Sequence, residues 1–100
     1  MTKKTDEELN NTFLTMLGCF NFERVHEHML ATNWTWNGSD VPSYQQMTDM
    51  CLYLFSRALK EYRKYGKRVE SSSGGFQVTI SKRGRITLSF VVANIDSDDL

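Results

Sequence analysis

Phe76-Gln77-Val78-Thr79-Ile80-Ser81-Lys82-Arg83-Gly84-Arg85-Ile86-Thr87-Leu88-Ser89-Phe90 is the stretch that decides the fold. Phe76, Val78 and Ile80 alternate with Gln77, Thr79 and Ser81, and Ile86, Leu88, Phe90 and Val92 alternate with Thr87, Ser89 and Val91. A period of two sends successive side chains to opposite faces of a strand, so each run has one apolar face. Lys82-Arg83-Gly84-Arg85 between them supplies the turn, and the whole predicts an antiparallel hairpin. Arg68-Val69-Glu70-Ser71 just upstream also suits an extended chain, and Ser71-Ser72-Ser73-Gly74-Gly75 reads as a flexible connection or bulge before the hairpin.

An apolar sheet face needs a cover, and the upstream sequence supplies helices. Ser43 with Gln46 three residues on forms a capping box, and Met47, Met50, Cys51, Leu54, Ala58, Tyr62 and Tyr65 then recur along one helical face. Leu52, Phe55 and Leu59 widen that face, so this helix is expected to be central. Lys60, Arg63 and Lys64 suit the negative end of its dipole and Gly66 its stop. A first helix starts at Thr5, capped with Glu8, carries Leu9, Phe13, Met16, Leu17 and Phe20, and is expected to fray or end at Gly18. A second, from the N-cap Asn21, carries Phe22, Val25 and Met29, with Leu30 beside them, and ends near Thr32-Asn33. Trp34-Thr35-Trp36 reads as a short strand, and Asn37-Gly38-Ser39-Asp40 as the loop after it. The expected class is α+β, in the order α-α-β-α-β-β, with a small antiparallel sheet packed on helices.

At 100 residues the chain is one domain, with 1–4 and 96–100 expected to fray. Zero formal net charge argues against a general nucleic-acid coat. Cys19 and Cys51 fall at apolar helix positions and read as reduced core thiols rather than a disulfide framework. No apolar run approaches the roughly 20 residues of a membrane span, and the start is no signal peptide, so a cytoplasmic protein is expected.

Three features could carry function, each with a bland alternative. Eight of the twelve basic residues lie between positions 60 and 85: Lys60, Arg63, Lys64, Lys67, Arg68, Lys82, Arg83 and Arg85. They form either a basic face for phosphate or an acidic surface, or a solvated helix end plus a charged turn that discourages edge pairing. Ser72, Ser73, Gly74 and Gly75 could turn backbone N–H groups toward an anion, or simply make a connection. They lack the lysine and following helix of a P-loop. Trp34 and Trp36, on one side of an extended segment, could stack a base or close the core. His26 and His28, two apart on a helix, point about 200° from each other and cannot share an ion, so no metal or other cofactor is expected. No nucleophile, paired carboxylates or Cys–His constellation suggests an enzyme.

Phe22-Glu23-Arg24-Val25-His26, Asn33-Trp34-Thr35-Trp36, Val41-Pro42-Ser43, Ser73-Gly74-Gly75-Phe76 and the closing apolar strand together resemble a group of short uncharacterised accessory proteins of tailed bacteriophages and prophages. The resemblance spans residues 20–95 and implies context rather than mechanism, since no site is established for the group. Such proteins commonly act by binding, which leads to the expected function: countering a host or defence process by binding a protein, or by sequestering a signalling nucleotide. The nucleotide route would use Trp34 or Trp36, the Ser72, Ser73, Gly74 and Gly75 turn and nearby cations, often in a homo-oligomer whose subunits share the pocket. A small nucleic-acid-binding module working through the basic residues is the alternative.

Overall fold

The computed structural model describes residues 4–35 and 40–100. Three helices, α1 (Asp6–Cys19), α2 (Phe22–Ala31) and α3 (Tyr44–Tyr65), precede four strands, β1 (Val69–Ser73), β2 (Phe76–Ile80), β3 (Ile86–Phe90) and β4 (Ala93–Asp96). A short 3-10 turn, Ser97–Asp99, follows. The strands form one antiparallel sheet in the order β1-β2-β3-β4. The fold is α+β.

Both expected capping boxes close. Thr5 accepts from the Glu8 backbone N–H while Glu8 returns to the Thr5 N–H, and Ser43 and Gln46 do the same for α3. α1 continues through Gly18 to Cys19, so the glycine sits in the last turn instead of ending the helix. α3 ends where Gly66 adopts φ 65°, and the Gly66 N–H donates to the Tyr62 carbonyl.

The sheet has one dry face. Val69, Ser71, Phe76, Val78, Ile80, Ile86, Leu88 and Phe90 are buried, as their alternation requires. Against them α3 places Met47, Cys51, Leu54, Phe55, Ala58 and Tyr62, and α1 places Leu9, Phe13 and Met16. α3 lies across β1 and β2, whereas α1 meets β3 and β4. The two helices are joined by the stacked rings of Phe13 and Phe55, 4.3 Å apart. The opposite sheet face carries two cross-strand rows, Glu70-Thr79-Thr87-Asp96 and Ser72-Gln77-Ser89-Asn94. Thr79 and Thr87 share a hydrogen bond there.

Two segments differ from the pattern read in the sequence. Trp34 and Thr35 belong to no strand; Trp36 and the loop 37–39 lie outside the described residues. The local reason is a helix-terminating motif. Asn33 adopts φ 54°, its N–H donates to the Leu30 carbonyl, and the Trp34 N–H donates to the Met29 carbonyl at 2.8 Å. These are the two bonds of a Schellman ending, with asparagine in the left-handed position. The second difference is at the end of the chain: β3 stops at Phe90, Val91 and Val92 make a two-residue turn, and the residues expected to fray form the end of β4 and the 3-10 turn.

The Gly74-Gly75 connection is a hairpin turn. Both glycines have positive φ, 60° and 90°, the type I′ geometry whose twist matches paired strands. A Cβ on Gly75 would fall 2.5 Å from Phe90 Cε2 and 2.9 Å from Trp34 Cζ2, whereas one on Gly18 meets nothing within 4 Å. Strain in the left-handed region and overpacking together should make Gly75→Ala cost roughly 2–4 kcal/mol. Gly18→Ala should instead stabilise the protein by about 0.5 kcal/mol. Urea unfolding of the two variants checks this, and equal effects would contradict the packing described.

Candidate functional site: the basic end

The strand directions bring distant segments together at one end of the molecule. β1 begins where α3 finishes, and Val69 pairs with Ile80 just before the turn between β2 and β3. The end of α3, the start of β1 and the 81–85 turn are therefore neighbours. The Tyr62 hydroxyl locks them by donating to the Lys82 carbonyl at 2.8 Å. Within the turn, the Gly84 N–H donates to the Ser81 carbonyl and Gly84 has φ 89°, a three-residue loop with glycine in the left-handed position.

All eight basic residues singled out in the sequence thus lie at one end, yet they are not equivalent. Arg63 pairs with Asp6 at 3.0 Å, Arg68 with Glu70 at 3.3 Å, and Arg85 with Asp96 at 2.6 Å and Asp98 at 3.3 Å. Among the described residues, Lys60, Lys64, Lys67, Lys82 and Arg83 carry no ion pair. The partners Asp6, Asp96 and Asp98 come from the two ends of the chain, which the fold returns to this location. Such exposed pairs contribute little stability individually but cancel long-range field.

Two shallow clefts cross this end. One, of about 420 Å³, is lined by Lys4, Ser81, Lys82, Arg83, Arg85 and Asp98. The other, of about 340 Å³, is lined by Arg57, Lys60, Glu61, Lys64 and Tyr65. Spacing alone puts Tyr65 on the apolar face of α3; it is 57% exposed, since the helix tip overruns the strands. Lys64 Nζ and Lys67 Nζ stand 5.3 and 5.8 Å from its ring centroid. Tyrosine is among the residues enriched in binding hot spots, and both ammonium groups lie within cation–π range of this ring. Lys4, Arg57 and Tyr65 were missed in the sequence because their proximity depends on chain return and helix overrun rather than on spacing.

The remaining candidates meet at the opposite end. Half-buried Trp34 leans on Phe90 at 5.4 Å, Phe90 on Phe76 at 4.8 Å, and Phe76 on Phe20 and Phe22 at 6.3 Å each. Gly75 touches both Trp34 and Phe90, so the fold does join the tryptophan to the Ser/Gly segment. It joins them as packing, with the missing side chain making room for the rings. Ser72 and Ser73 are exposed on β1. Trp36 lies outside the described residues. His26 and His28 separate, His26 toward Tyr44 and His28 toward Phe90.

Comparison with protein-family models, with curated proteins and with solved structures found no match for the chain. Among the described residues no helix is long and apolar enough to cross a membrane.

Two titrations test the local chemistry. The hydrogen bond from Arg85, together with the Asp98 backbone N–H and the Arg85 charge, holds the Asp96 carboxyl below its ordinary value despite some opposing burial. A carboxyl depressed in the folded state contributes stability above its unfolded value, about pH 4, which is lost as pH falls through the folded value. Asp96→Asn should therefore destabilise at neutral pH and flatten the acid limb below about pH 4. An unchanged acid limb in denaturant melts would contradict this. Burial pushes the Cys51 thiol up to about 12, while Cys19 is exposed. A thiol-reactive dye near pH 8 should label Cys19 at once and Cys51 only on unfolding; two fast equivalents would refute it.

Proposed function

We propose that this is a non-catalytic binding protein of the bacteriophage accessory kind, acting in the host cytoplasm, and that its basic end engages an acidic surface on a host or defence protein. The observation that carries the reading is Tyr65, exposed between Lys64 and Lys67 at the same end as Lys82 and Arg83, which carry no ion pair among the described residues. An aromatic anchor with cations around it matches protein hot spots, and complementary charge speeds encounter. Residual cations without matching acids favour a negatively charged partner.

The competing ligands fit less well. For a nucleic acid, the basic end is interrupted by Asp6, Glu70, Asp96 and Asp98, each beside an arginine that phosphate would otherwise use. For a nucleotide, Trp34 and Gly75 already use each other's surface.

The test compares wild type with a basic-end variant (Lys64→Glu, Lys82→Glu, Arg83→Glu) and with Tyr65→Ala. A control, Glu23→Lys with Glu27→Lys, changes α2 instead. A partner captured from bacterial host lysate should be retained by wild type and control and bound at least tenfold more weakly by the other two. Equal retention by the basic-end variant would sink the proposal. A melting-temperature rise with a nucleotide, or duplex DNA binding that collapses with salt, would transfer the function to those ligands.

A further inference from the structure

We infer that two copies of this chain pair through β1, edge to edge and antiparallel, to form one continuous eight-stranded sheet centred on Ser71. Among the described residues only β2 pairs with β1, so its other edge is open. The two edges of the sheet are protected very differently. β4 is four residues long, and Asp96, Asp98 and the 3-10 turn fold over its end. β1 is Val-Glu-Ser-Ser-Ser, without proline, lysine or bulge, and with one charge that is tied down by Arg68 and Gln77. An edge without such devices is a template for another strand.

The register follows from the hairpin. Ser73 and Phe76 flank a two-residue turn, so Ser73, Ser71 and Val69 direct their backbone groups toward β2, and Glu70 and Ser72 direct theirs outward. A two-fold axis at Ser71 sets Glu70 opposite Ser72 of the second copy, twice, and each pair exchanges both of its backbone bonds. Centring on Glu70 would instead oppose two carboxylates. The axis at Ser71 also places two Ser71 side chains directly opposite each other on the helix-covered face. Ser71 is 7% exposed, and its hydroxyl is the buried side-chain group that finds no partner among the described residues. Its neighbour on β2 is Val78, which offers none. A facing hydroxyl across the axis supplies it, as Thr87 does for Thr79 on the other face of the sheet.

The helix layer accepts the same axis. α3 lies across β1 and β2, so its axis is about one strand spacing from the two-fold, and the two α3 helices would run about 10 Å apart, a normal packing distance. Ser71 is about 10 Å along β1 from the loop, which returns to about residue 59 of α3 at 1.5 Å per helical residue. Arg57 and Glu61 straddle that level on the flank turned away from α1, and neither has an ion pair among the described residues. The two-fold sets Arg57 against Glu61 of the second copy, and the reverse. Because β1 runs antiparallel to its counterpart, the two 81–85 turns point apart and stay open, whereas the cleft lined by Arg57, Glu61 and Tyr65 lies on the paired flank.

Sedimentation should show a dimer at micromolar concentration. Ser72→Pro removes an N–H that β2 does not use, and should weaken association at least tenfold while the monomer melts as a folded domain. Register is read by crosslinking in a Cys19→Ser, Cys51→Ala background. Ser71→Cys should oxidise to a covalent dimer, whereas Glu70→Cys, opposite Ser72, should not. A monomer throughout the concentration range, association indifferent to Ser72→Pro, or crosslinking through Glu70→Cys in preference to Ser71→Cys would each overturn the inference.

Discussion

The dry face of the sheet must be kept from water, and α3 meets most of that demand. Its 22 residues span the length of β1 and β2 and bring six buried side chains down onto Val69, Phe76, Val78 and Ile80. Exposing even one large apolar side chain costs on the order of 2 kcal/mol, comparable to a sizeable part of a small domain's net stability. With α3 in place, the remaining geometry follows. α1 can only fill the gap over β3 and β4, where Phe13 stacks on Phe55, and α2 closes the end near Phe76 and Phe90.

The same packing sets the electrostatics. Because β1 starts from the tip of α3, the basic helix end and the basic turn become neighbours, and the Tyr62 hydroxyl fixes them together. Because α1 starts and β4 finishes at that end too, acids distant in sequence are delivered to the arginines. The result is a mosaic in which the arginines are largely engaged and the lysines are left facing solvent. This favours a shaped protein surface over a uniform phosphate backbone, since only the former can match alternating signs.

The helices and three of the four strands were legible because each is encoded locally. Thr5 with Glu8 and Ser43 with Gln46 state two helix starts, Gly66 one stop, and the alternation from Phe76 to Phe90 two strands. The Trp34 segment reads as a strand because an alternating aromatic triplet outweighs a helix that ends three residues earlier, at Ala31. Asn33 before Trp34 carried that information, since asparagine tolerates the left-handed position better than most residues. The final residues were misread for a different reason: a run of acids looks solvated unless the arginine it meets, eleven residues away in the case of Asp96 and Arg85, is known.

By itself the sequence determined the class of the fold, the two capped helices, the existence of the hairpin and the eight cations, because these depend on period, caps and turns within a few residues. Only the tertiary structure decided which of those cations are neutralised and that Tyr65 is exposed. It also decided that Trp34 packs against Gly75 and that Ser71, at an edge open among the described residues, is buried without a partner among them. Each of these depends on which distant segment lies alongside, and that is set by burial of the sheet's apolar face, a global condition that local sequence does not express.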